Sequence, residues 1–181
     1  MSLNFDKNQN HYYFIEKNTI PLVFIHGVGL DHRMWDNQVG SLNEFSILTY
    51  DLLGHGKTPF NKDKLTLKDF SDQLLGLLDN LKIEKINLIG FSLGSLIALD
   101  FSSHFQSRIE KLVLIGTTYK RSEQERSLVV ERYNQAKLNK PISKQALKRW
   151  FSDKYLEDNP KTYDLFMNIL NKKPEDHENF L

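Results

Sequence analysis

Residues 86–101 read INLIGFSLGSLIALDF. An apolar run ends in Gly90-Phe91-Ser92-Leu93-Gly94, and helical periodicity begins at once, with Leu93, Ile97, Ala98 and Phe101 on one side. A chain that turns this sharply from strand to helix holds its central serine in a strained backbone conformation. Glycines two residues to either side let neighbouring backbone pass without a Cβ collision. The Ser92 hydroxyl then projects above the carboxyl edge of a sheet, and the N–H groups of the new helix favour negative charge at the same spot. Gly-x-Ser-x-Gly alone also describes an ordinary turn. The strand before it and the helix after it favour a nucleophile.

Outward from this stretch, four more segments read as strands: HYYFIEK (11–17), PLVFIHG (21–27), FSILTYD (45–51) and KLVLIGT (111–117). Most are short and continuously apolar, as in a parallel sheet with helices on both faces. Helical patterns lie between them. Residues 66–81 carry Leu67, Phe70, Leu74, Leu77, Leu78 and Leu81 on one stripe behind Thr66 as N-cap, and residues 34–42 suit a shorter helix. The alternation predicts an α/β fold, a mostly parallel sheet flanked by helices. After Thr117 the texture changes to helices alone. Ser122 and Glu125 form a capping-box pattern, Ser143 precedes a pattern with Leu147, Trp150 and Phe151, and Asn159-Pro160 reads as N-cap and first helical residue.

The chain has 181 residues, enough for one real core, and its formal net charge is +1. That balance gives no sign of a nucleic-acid partner. The chain has no cysteine, which removes disulfides, thiolate metal sites and a thiol nucleophile. The N-terminal residues lack the pattern of a secretory signal, and no apolar run approaches the ~20 residues that cross a bilayer. These features lead us to expect a soluble cytoplasmic protein with no membrane partner.

Two further motifs bear on Ser92. In FIHGVGLDHRMW (24–35), His26-Gly27 follows a buried strand and opens a glycine-containing loop. Attack by a serine on a carbonyl develops negative charge that two N–H donors can hold. Val28 N–H and Leu93 N–H are the candidates, a plain strand-to-helix loop being the alternative. In YDLLGHGKTPF (50–60), Gly56-Lys57-Thr58 resembles a phosphate loop, but that motif requires glycine at position 51, which is Asp51. Asp51, Gly54, His55 and Gly56 read instead as a structural turn beyond a strand.

In this order and spacing the motifs resemble the α/β-hydrolase superfamily, with GLDHRMWDNQ (29–38), DLLGHG (51–56), GFSLG (90–94) and RWF (149–151) similar to 3-oxoadipate enol-lactonases and other small carboxylic ester hydrolases. The resemblance implies that Ser92 is the nucleophile, that Val28 and Leu93 supply the oxyanion donors, and that Gly27 and Trp150 lie near the substrate pocket. Trp150 reads equally well as packing. It further implies that residues 1–118 are the N-terminal part of the hydrolase core and residues 119–181 an incomplete helical cap. The substrate would be a small ester or lactone, hydrolysed without a metal or an organic cofactor. Ser92 in place of an aspartate at the elbow argues against the dehalogenase chemistry of this fold.

A serine hydroxyl needs a base, normally a histidine oriented by a carboxylate, and in this fold both follow the serine. Two histidines do: His104, at the far end of a helix, and His177, in a polar stretch without a preceding strand. Neither fits. The sequence is therefore expected to be a C-terminally truncated hydrolase, lacking its last strands and its triad acid and base, and inactive by itself. A ligand-binding fragment and an acyltransferase using the same serine are the alternatives. Loss of the next strand leaves 111–117 as an open apolar edge, where self-association is expected.

Overall fold

The structure, a computed structural model, describes residues 3–60, 64–137 and 143–171. It divides into two compact units, residues 1–117 and 118–181. Among the described residues the first unit contains six strands: β1 (Leu3–Phe5), β2 (His11–Ile15), β3 (Leu22–Ile25), β4 (Ile47–Tyr50), β5 (Ile86–Phe91) and β6 (Ile109–Ile115). They form one sheet in the order β1-β2-β4-β3-β5-β6. β1 pairs antiparallel with β2, and β2 antiparallel with β4; the remaining pairs are parallel. The mostly parallel sheet expected from the apolar runs is present. The expected strand at 111–117 begins two residues earlier, and β1 is an additional strand.

Side chains alternate between the two faces of the sheet. Val23, Ile25, Leu48, Tyr50 and Leu88 enter one core, closed by α2 (Leu67–Asn80) and α3 (Leu93–His104) through Phe70, Leu74, Leu77, Leu78, Ile97, Ala98 and Phe101. Phe24, Ile47 and Ile89 enter a second core with Trp35 and Val39. Those last two lie on a 3-10 turn (His32–Trp35) and on α1 (Asp36–Ser41), so the single helix expected over 34–42 is divided in two. The Thr66 side chain caps α2 in a reciprocal capping box with Asp69. The Ser71 hydroxyl donates to Asp100 at 2.6 Å, joining α2 to α3.

β6 is an edge strand within the described sheet. Val113 and Ile115 stand in register with Ile89 and Phe91 and so share their face, yet they are 48% and 40% exposed. The second core thus thins out towards β6.

The second unit is helical: α4 (Glu123–Lys137), α5 (Ser143–Trp150), α6 (Asp153–Asp158) and α7 (Pro160–Leu170). The Ser122–Glu125 box forms, with Ser122 N–H donating to Glu125 at 2.7 Å. α6 was not signalled by the sequence pattern. Its presence changes the role of Asn159, whose side chain donates to the Tyr155 carbonyl of α6 at 2.9 Å instead of capping α7. Ala146, Leu147, Phe166, Ile169 and Leu170 are buried, and Phe151 stacks on Tyr155. No helix among the described residues is long and apolar enough to cross a membrane.

Candidate active site

Ser92 joins β5 directly to α3, with φ 54° and ψ −113°. For a residue with a Cβ this is a costly backbone, about 1–3 kcal/mol, and it persists only where the surroundings impose it. They do so from both sides. Ser92 N–H donates to the Ile115 carbonyl of β6 at 2.9 Å. The Ser92 carbonyl accepts from Ser95 N–H at 3.0 Å and from the Ser95 hydroxyl at 2.5 Å. The flanking glycines permit the approach: a Cβ on Gly90 would strike the Gly94 carbonyl oxygen, and one on Gly94 the Ile25 carbonyl oxygen of β3. The spacing of this motif is therefore a packing requirement between β5, α3 and β3. Ser92 remains partly accessible, and Leu93, as the first residue of α3, has an N–H without a partner inside the helix.

β3 brings the second motif to the same edge. A Cβ on Gly27 would lie 3.4 Å from Ser92 Cβ and 3.1 Å from the Phe91 ring, so the Gly27–Val28 peptide is seated against the Ser92 turn. His26 fixes it there. The buried His26 ring donates through Nδ1 to the Gly27 carbonyl at 2.8 Å and accepts Leu52 N–H at Nε2, 3.0 Å away. Those two bonds define a neutral tautomer. Burial pushes the His26 pKa down, against a smaller opposing pull from Asp51. Both ring nitrogens are engaged, so His26 is a brace.

The third motif forms the expected turn, with Gly54 and Gly56 at φ 70° and 55°. His55 is buried in it, 5.1 Å from the His26 ring. Asp51 does more than begin the turn. One carboxylate oxygen accepts from His11 Nδ1 at 2.8 Å and Lys57 N–H at 2.9 Å; the other accepts from His32 Nδ1 at 2.7 Å and His32 N–H at 2.9 Å. Burial alone would raise the Asp51 pKa, but the bonds from His11 and His32 outweigh it and hold the carboxyl well below the usual carboxylate range. Sequence reasoning missed this hub. His11 lies 40 residues and His32 19 residues from Asp51, and only the strand order brings them together.

No hydrogen bond joins the Ser92 hydroxyl to an imidazole among the described residues. His104 closes α3 while Ser92 opens it, about 18 Å away along a 12-residue helix, and its Nδ1 meets the Asp100 carbonyl. His177 lies outside the described residues. Trp150 packs within the helical unit, edge-on to Phe166 with ring centroids 6.1 Å apart.

A model of the alpha/beta hydrolase fold family matches residues 20–138. The chain is 28% identical over 157 residues to an (E)-2-((N-methylformamido)methylene)succinate hydrolase of Acinetobacter baylyi, covering 86% of this chain and 60% of that protein. It is 32% identical over 144 residues to 3-oxoadipate enol-lactonase 1 of the same organism, covering 77% and 52%. Its fold superposes on the crystal structure of an enol-lactonase from Burkholderia xenovorans with a TM-score of 0.82 at 26% identity, covering 95% of this chain and 68% of that one. The chain thus spans only 52% to 60% of the length of these curated relatives.

Proposed function

The chain belongs to the alpha/beta hydrolase fold family, and we propose that it is the nucleophile-bearing part of a hydrolase of small carboxylic esters or lactones, enol-lactones among them. The observation that carries this reading is the left-handed backbone of Ser92 between β5 and α3, with the Gly27 loop seated against it. A base removes the Ser92 proton as the oxygen attacks the substrate carbonyl. The oxyanion of the tetrahedral intermediate is held by Val28 and Leu93 N–H, beside the positive end of α3. The base returns the proton to the leaving oxygen, and an ester of Ser92 remains. In an enol-lactone this step opens the ring and the leaving oxygen stays tethered to the acyl group. Water, deprotonated by the same base, then releases the acid.

The base and its carboxylate belong, in this reading, to polypeptide beyond these 181 residues, as does the strand that covers β6. Residues 1–118 are then the N-terminal part of the catalytic core, and 119–181 part of its cap, with Gly27 at the floor of the pocket. The packing of Trp150 on Phe166 is accounted for within the helical unit itself. In the 181-residue chain the open edge of β6 pairs with a second copy; a monodisperse monomer at high concentration contradicts that assignment.

The functional test joins residues 1–181 to the C-terminal third of the Burkholderia enol-lactonase and assays aryl esters and enol-lactones. Hydrolysis that disappears in Ser92→Ala is the expected result. Hydrolysis that survives the substitution overturns the proposal.

A further inference from the structure

The carboxyl edge of the sheet holds a second polar group that ester hydrolysis does not use. His11 opens β2, His32 opens the 3-10 turn and Asp51 follows β4; their side chains are 1%, 11% and 1% exposed. One ligand atom from each lies within 4.8 Å of the other two, the one such grouping of His and carboxylate side chains among the described residues. We propose that His11, His32 and Asp51 bind a single divalent transition-metal ion of the zinc class, through the two imidazole rings and the carboxylate.

The donor set selects the class of ion. Two imidazoles and one carboxylate suit Zn2+, Co2+ or Ni2+, whereas Mg2+ and Ca2+ demand oxygen ligands. The two imidazoles approach different oxygens of Asp51, and the three ligand atoms lie within 4.8 Å of one another, so the group as a whole must contract around an ion. A tetrahedral ion with bonds of about 2.0–2.2 Å spaces its ligand atoms roughly 3.3–3.5 Å apart. The two Nδ1–carboxylate distances, 2.8 and 2.7 Å, open to that spacing with shifts of about half an ångström.

Both rings already turn Nδ1 towards the carboxylate, so coordination through Nδ1 would leave Nε2 as the ring's protonated nitrogen. Among the described residues His11 Nε2 is buried without a hydrogen-bond partner, so no existing bond there opposes coordination through Nδ1. The His32 side chain is 11% exposed, so the fourth position of a tetrahedral ion would fall to water. Backbone N–H groups of His32 and Lys57 already orient the carboxylate, the outer support that metal-bound carboxylates require. The ion would tie β2, the loop after β3 and the turn after β4 together. Asp51 and His11 stand two and three strands from the strand that ends at Ser92, roughly 10 and 14 Å, too far for the ion to touch a substrate carbonyl held there.

The test titrates the tag-free 181-residue chain with Co2+ and follows its visible absorption, with Zn2+ as competitor. Expected are the intense bands of tetrahedral Co2+, saturating at one equivalent and erased by Zn2+ but not by Mg2+. His32→Ala and Asp51→Asn should each weaken binding by at least the roughly 100-fold that loss of an outer-shell partner can cost. His104→Ala should leave binding unchanged. His32 is partly exposed, so its variant remains informative if Asp51→Asn fails to fold. A weak octahedral spectrum, or unchanged affinity in folded His32→Ala, overturns the proposal. The readout involves no hydrolysis, so its failure leaves the Ser92 reading standing.

Discussion

Two glycine-bearing turns leave parallel strands at the same edge of the sheet and are built in opposite ways. After β4, in DLLGHG, the left-handed backbone falls on Gly54 and Gly56, which adopt it without a Cβ clash. After β5, in GFSLG, it falls on Ser92, and the glycines serve close packing against backbone carbonyls. The first turn relieves strain and buries its polar residues, Asp51 and His55. The second concentrates strain on Ser92, whose side chain is partly accessible, and has no titratable side chain between Gly90 and Ser95. A glycine in a turn can therefore stand at the strained position or beside it. Only the second arrangement places a side chain on the strained backbone.

The largest effect that separates the two turns should come from Gly94→Ala. Its new Cβ meets the carbonyl of β3, a backbone group that cannot step aside, and should cost about 3 kcal/mol in urea unfolding. A cost below about 1 kcal/mol would mean that the α3–β3 approach is looser than described.

Acid should act next, through the buried side chains around the β4 turn. His26 is neutral in the folded chain because burial lowers its pKa, whereas the unfolded imidazole takes up a proton below about pH 6.5. The unfolded state then binds more protons, so this stability is present above that pH and is lost as the pH falls. The loss should approach about 1.4 kcal/mol per pH unit below pH 6.5, down to the lowered pKa of the folded imidazole. Asp51, held ionised in the fold, adds a further loss below about pH 4. A denaturation midpoint that is flat from pH 7 to 5 would contradict the assignment of His26 as a buried neutral brace.

The smallest effect concerns the strain itself. Ser92→Gly should be more stable than Ser92→Ala by about 1 kcal/mol, because only glycine adopts the left-handed backbone freely. Equal stabilities, compared by thermal unfolding, would show that Ser92 stores no strain.

Much of this was legible in the sequence, for identifiable reasons. The continuously apolar runs at 21–27, 45–51 and 86–91 are what strands covered on both faces look like, and they are the three central strands. The Ser92 motif could be read because all of its requirements are local: strand, turn, helix and two glycines. β1 escaped notice because three residues carry no periodicity, and its partner is fixed only by register with His11–Tyr13. The Asp51 hub escaped because strand order, not spacing, places His11 beside it. His26 was legible as the residue before a loop, but its bond to Leu52 N–H depends on β4 lying next to β3.

The central claim, a serine placed for nucleophilic attack with its base supplied from elsewhere in the polypeptide, is tested most directly by chemical rescue. The 181-residue chain is treated with a fluorophosphonate across a series of imidazole concentrations, and the modified residue is located by peptide mass spectrometry. Labelling should be slow without imidazole and should quicken as imidazole is added, with the label on Ser92 and on no other serine. Fast labelling of Ser92 in plain buffer would show that a base lies within the chain. Label distributed over surface serines would show that the Ser92 backbone confers no special reactivity.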